Sequence, residues 1–79
     1  MTKNYIVTAG NTSTDLGVVG SSSTLLGAKR IGRRAVRESL PNGEGSYRVQ
    51  EWVIDETGVT VTVSGAERSI RTGFQWAES

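Results

Sequence analysis

The run AKRIGRRAVR constrains the fold of this chain more than any other segment. If residues advance by about 100° each, Lys29, Arg30, Arg33, Arg34 and Arg37 fall within an arc of roughly 140°. Leu25, Ala28, Ile31, Gly32, Ala35 and Val36 fall within a similar arc on the other side of the same helix. A helix divided in this way packs its apolar half on another layer and presents a dense cationic half outward.

The bounds of that helix can be read from its flanks. Ser22 or Ser23 offers a hydroxyl to cap a first-turn amide, and Pro41 with Asn42 and Gly43 ends it. The predicted helix therefore runs from Thr24 to Leu40. Gly27 and Gly32 each cost about 1 kcal/mol against alanine, and their missing side chains would let the helix approach a sheet closely.

The sheet comes from the remaining segments. Asn4 to Ala9 alternates in the manner of a strand. Gly10 to Ser23 is predicted as a long loop, interrupted by a short strand around Leu16 to Val19. Three more strands are predicted at Ser46 to Ile54, Val59 to Ser64 and Arg68 to Trp76. The short connections at Asp55 to Gly58 and Ser64 to Glu67 both suit hairpins. The expected architecture is α+β, order β-α-β-β-β, with one amphipathic helix on a mainly antiparallel sheet of three or four strands. Val59, Val61 and Val63 are expected on the buried face of that sheet and Thr60, Thr62 and Ser64 on the wet one.

With 79 residues the chain makes one domain, 1 to 79, of a size that buries only about 60% of its unfolded surface. It contains no cysteine and no histidine, so disulfides, thiolate or imidazole metal sites and the commonest proton shuttle are ruled out. No metal or cofactor is expected. Asp55 and Glu56 are adjacent carboxylates, but a solvated turn explains them better than catalysis. GSSST before the helix lacks the Gly-Lys-Ser/Thr ending of a phosphate loop, and a serine cap accounts for it. The chain is read as non-enzymatic. No segment approaches the ~20 apolar residues of a membrane span and no apolar leader is visible, so the expected location is the cytoplasm.

Net charge is only +1, yet it is sorted along the chain. Residues 29 to 37 hold five cations and no acid, whereas residues 38 to 56 hold Glu38, Glu44, Glu51, Asp55 and Glu56 against the single Arg48. Solvated helices ordinarily intersperse acids to gain i, i+4 pairs. A row of arginines without them is suited to bidentate contacts with carboxylate or phosphate. Lys29, Arg30, Arg33, Arg34 and Arg37 are thus candidate partner-binding residues, as are Trp52, on the parity of Arg48 and Gln50, and the acidic Glu44, Glu51, Asp55 and Glu56. Tyr47 and Phe74 are expected in the core.

Two resemblances follow from these residues. Helix then three antiparallel strands, from Thr24 to Trp76, is similar to part of a double-stranded-RNA-binding domain, and implies phosphate contacts from Arg33, Arg34 and Arg37. That family's carboxy-terminal helix has no counterpart here, and a strand precedes the helix instead. The whole-chain profile is a very small domain without Cys or His, its charge sorted between AKRIGRR and EWVIDE. It resembles the small phage-encoded inhibitors of host defence, anti-CRISPR proteins among them. That likeness implies steric or electrostatic block of a protein or nucleoprotein complex in the host cytoplasm. A protein partner is the leading expectation, bound by the arginine face with help from Trp52 or its acidic neighbours. Nucleic acid is the alternative, and a structural subunit, monomer or homodimer, that self-associates through the strand Arg68 to Trp76 is the third reading.

Overall fold

The computed structural model describes residues 2–10, 17–39, 45–70 and 73–78. Five strands and one helix follow in the order β1 (Thr2–Gly10), β2 (Gly17–Ser22), α1 (Leu25–Ser39), β3 (Ser46–Asp55), β4 (Gly58–Ile70) and β5 (Gly73–Glu78). The strands form a single antiparallel sheet, β2-β1-β3-β4-β5. The α+β class is as expected. The sheet has five strands where three or four were expected: the short strand expected around Leu16 to Val19 within the Gly10 to Ser23 loop is β2, Gly17–Ser22, and it joins the sheet, paired with β1 from Tyr5↔Ser22 to Ala9↔Gly17. Leu16, Leu40 and the predicted turn Pro41 to Gly43 lie outside the described residues.

α1 starts on Thr24 rather than on either serine: the Thr24 hydroxyl accepts the amide of Gly27 at 3.0 Å. Ser22 instead accepts the Thr24 amide at 3.2 Å, which holds the chain entering the helix. The helix packs on β1, β2 and β3 and buries Ala28 and Val36 against Val7, Tyr47 and Val49. Tyr5, Ala9, Leu25, Ile31, Phe74 and Trp76 pack around them. Each buried valine contributes about 1.5 to 3 kcal/mol, so a core this small makes a domain sensitive to single changes. Gly32 meets the expectation of close approach, since a Cβ there would lie 2.1 Å from the Tyr47 ring.

The largest departure concerns β4. Ser64 to Glu67 is not a turn: β4 runs continuously for 13 residues, and its register with β3 shifts by one between Val49 and Gln50, where Gly65 and Val63 are the respective partners. Ser64 is the extra residue of a β-bulge, which reverses the side-chain alternation. Gly65 and Glu67, opposite Val49 and Tyr47, therefore face α1. Val61, opposite Trp52, faces away from it. The valines expected in the core stand on the helix-free side of the sheet, with Val59 57% and Val61 43% exposed. The predicted strand Arg68 to Trp76 is likewise divided between β4 and β5, and Ile70 pairs with Gly73.

Thirteen residues at about 3.3 Å each span about 43 Å, which accounts for a long axis of 44 Å against widths of 20 and 19 Å. The end of the β3–β4 hairpin, Ile54 to Val63, is exposed throughout. At its tip Asp55 pairs with Gly58, whose φ of +131° suits glycine as the spacing predicted.

Candidate binding surface

Because α1 lies along the sheet, its basic residues divide into an inner and an outer row. Lys29, Arg33 and Arg37, spaced four apart, lean over β4 and β5. The Arg33 guanidinium grips Glu67 in a two-point contact, Nε to Oε1 at 2.7 Å and Nη2 to Oε2 at 2.9 Å. Tyr47 donates its hydroxyl to the same Oε1 at 2.5 Å. Glu67 is 2% exposed, and a buried carboxylate is tolerable only with partners of this kind.

The chemistry of the triad follows from those contacts. The Arg33 hydrogen bonds, aided by the Tyr47 hydroxyl, hold the Glu67 carboxyl below its ordinary range despite burial. Burial, with the hydrogen bond to Glu67, pushes the Tyr47 phenol well above its ordinary value. The Glu67 contact likewise raises Arg33. Tyr47 thus serves as a neutral donor and Glu67 as an anion across neutral pH.

On either side of this triad the inner row rests on aromatic faces. The Lys29 ammonium sits 4.1 Å above the Trp76 ring. The guanidinium carbons of Arg33 and Arg37 lie 5.7 and 5.2 Å from the Phe74 centroid. Such contacts contribute about 0.5 to 1 kcal/mol each where solvent reaches them. Trp76 also covers Gly65, where a Cβ would fall 2.4 Å from its ring, and lies 6.3 Å from Tyr47 centroid to centroid.

Arg30 and Arg34 form the outer row and are exposed. Arg34 reaches Glu38 at 3.2 Å in a solvated i, i+4 pair, worth no more than about 0.5 kcal/mol. Arg30, Arg33, Arg34, Arg37 and Glu38 line a shallow groove of about 280 Å³. This groove gathers four of the five basic residues singled out in the sequence; Lys29 stands apart on Trp76.

The acidic candidates are scattered. Glu51 pairs with Lys3 at 3.4 Å rather than with the helix, and that carboxylate raises the Lys3 amine. Asp55 accepts the Thr57 hydroxyl at 2.6 Å and the Thr57 amide at 2.8 Å, bonds that lower its own carboxyl and fix the hairpin turn. Glu56 is exposed at the tip, and Glu44 lies outside the described residues. Trp52 is half-buried on the helix-free face, its Nε1 donating to Gln50 at 3.3 Å. With the sheet between them, Trp52 and the arginine groove form no single patch.

Among the described residues no cluster of His, Cys, Asp and Glu could hold a metal, and no helix is long and apolar enough to cross a membrane. Sequence reasoning missed Glu67, having placed it in a turn. The signal was present in its neighbourhood: VTVTVS continues into AERSI without proline, and Gly65 sits where a bulge would fall. No family model, curated protein or solved structure matches the chain.

Proposed function

We propose that the chain is a non-enzymatic binding protein that applies Arg30 and Arg34, the outer arginines of α1, together with the solvent-reaching Arg37 of the inner row, to an acidic surface of another protein. In this reading it acts as an inhibitor of the kind phages direct at host defence complexes. The observation that carries the proposal is the groove of Arg30, Arg33, Arg34, Arg37 and Glu38. Guanidinium groups converge there at a solvated surface, and only Arg33 is tied to a buried partner. Fork-shaped donors of this kind suit carboxylates held on a protein, and arginine is a favoured anchor of protein interfaces.

The inner row argues for a protein rather than a nucleic-acid partner. With Lys29 on Trp76 and Arg33 on Glu67, few cations remain to neutralise phosphates, and extended phosphate tracking needs many.

The test is affinity capture from bacterial lysate with the native protein and with the double variant Arg30→Gln/Arg34→Gln. A protein retained by the native chain and lost with the variant supports the reading; equal retention overturns it. Labelled 20-base-pair DNA and RNA duplexes, titrated at low and physiological salt, test the other class. Binding that is lost in the variant and collapses with salt replaces the protein partner by a nucleic acid.

A further inference from the structure

α1 covers one face of the sheet, and among the described residues no element covers the other. An open sheet face is ordinarily the polar one. In the hairpin half of β3 and β4 the order is inverted. Thr60 and Thr62 are on the helix side, whereas Trp52, Ile54, Val59 and Val61 stand together on the helix-free side through the pairs Trp52↔Val61 and Ile54↔Val59. Ile6, opposite Gln50, continues this apolar strip onto β1. Ile54, Val59 and Val61 are 47%, 57% and 43% exposed, and contiguous exposed apolar surface of this kind marks an interaction site.

Charge identifies the occupant. Arg48 lies on the same face four residues before Trp52, and Glu56 stands at the hairpin tip four residues after it. Among the described residues neither takes part in an ion pair. A surface with an apolar centre and opposite charges equidistant from it is complementary to itself when turned by a half-rotation, the condition that a two-fold interface must meet. We propose that a second copy of this chain covers the helix-free face. Its sheet packs on this one with strands antiparallel, about a two-fold axis that runs across the strands at the Trp52↔Val61 pair.

Trp52 then lies against the partner's Trp52, Val61 against the partner's Val61, and Ile54 over the partner's Gln50. Glu56 of each copy comes over the partner's Arg48, so the charge contact forms twice. From Arg48 to Glu56 the face is about 26 Å long at about 3.3 Å per residue, and the molecule is 20 Å wide. Each copy offers roughly 500 Å², and the pair hides about 1,000 Å², the least that a specific interface needs. The dimer is accordingly a weak one, formed at high protein concentration and lost on dilution. Both arginine grooves remain on the outer faces of the pair, so the interface does not rest on the function proposed for them.

The paired charges supply the test. Sedimentation equilibrium at low salt should show the native chain partly dimeric at roughly 0.1 mM. Arg48→Glu and Glu56→Arg each set like charges opposite one another twice and should each weaken association at least about tenfold. Arg48→Glu/Glu56→Arg exchanges the two signs and should restore association to within about threefold of native. Glu56 is exposed at the tip, so Glu56→Arg should melt as the native chain does and reads association alone. A native chain that stays monomeric at that concentration overturns the proposal and leaves the face to a partner of another kind. So do a Glu56→Arg variant that associates like native and a double variant that associates no better than the single ones.

Discussion

Arg33 and Glu67, 34 residues apart in sequence, meet through two hydrogen bonds of 2.7 and 2.9 Å, and the Tyr47 hydroxyl closes on the same carboxylate. This contact changes the meaning of the basic helix. An arginine that sequence alone assigns to a partner also fastens α1 to the far half of the sheet, where β4 and β5 lie beyond the helix's main packing on β1, β2 and β3.

Glu67→Gln keeps the shape and removes the charge. Hydrogen bonds to charged groups contribute about 1.5 to 3 kcal/mol, and Arg33, 42% exposed along its side chain, recovers part of that from water. The expected loss is about 1.5 kcal/mol, or about 6 to 12 °C in a domain of this size, measured by thermal denaturation at neutral pH.

Stability should also respond to pH at both ends. Glu67 is held below its ordinary value of 4.5, so its contribution is complete above that value and is lost as pH falls through the lower, folded-state value. Tyr47 is held above its ordinary 10.0. Its contribution is complete below pH 10.0 and is lost as pH rises further, because the unfolded phenol ionises first. Denaturant midpoints should therefore fall away in acid and in strong alkali. Glu67→Gln should flatten the acid limb, and Tyr47→Phe the alkaline one.

Gly32→Ala sets helix propensity against packing. Alanine is favoured by about 1 kcal/mol within a helix, yet its Cβ would fall 2.1 Å from the Tyr47 ring, which Glu67 holds in place. Overpacking of this kind costs about 1 to 3 kcal/mol. The expected net effect is a lower melting temperature; a higher one would mean that the ring moves aside freely.

The helix, its apolar face and the β3–β4 hairpin tip were legible because each rests on local rules: the spacing of Ala28, Gly32 and Val36, the glycine at 58, the alternation from Tyr47 to Val53. The sheet's inner face past Ser64 was not. A single bulge residue exchanges the faces of everything after it, so one non-local register shift moved Glu67 inward and left Val59 and Val61 outward. The arginine groove was legible as a cluster. Its division into inner and outer rows was not, because that depends on which strands extend beneath the helix. Trp52 was rightly placed on the parity of Gln50, opposite the apolar side of Tyr47 and Val49 that α1 covers, but grouping it with the arginines failed, because the sheet stands between them.

Arg33 is tied to the buried Glu67 and should hold the fold, whereas the solvated Arg30 and Arg34 should be dispensable to it. The most direct measurement is thermal denaturation of Arg33→Gln beside Arg30→Gln/Arg34→Gln. Arg33→Gln should melt lower by several degrees, since about 1 kcal/mol shifts a domain of this size by about 4 to 8 °C. The double variant should melt within about 0.5 kcal/mol of the native chain, as exposed substitutions do. Equal melting of Arg33→Gln and the native protein, or a marked loss in the double variant, would contradict the division.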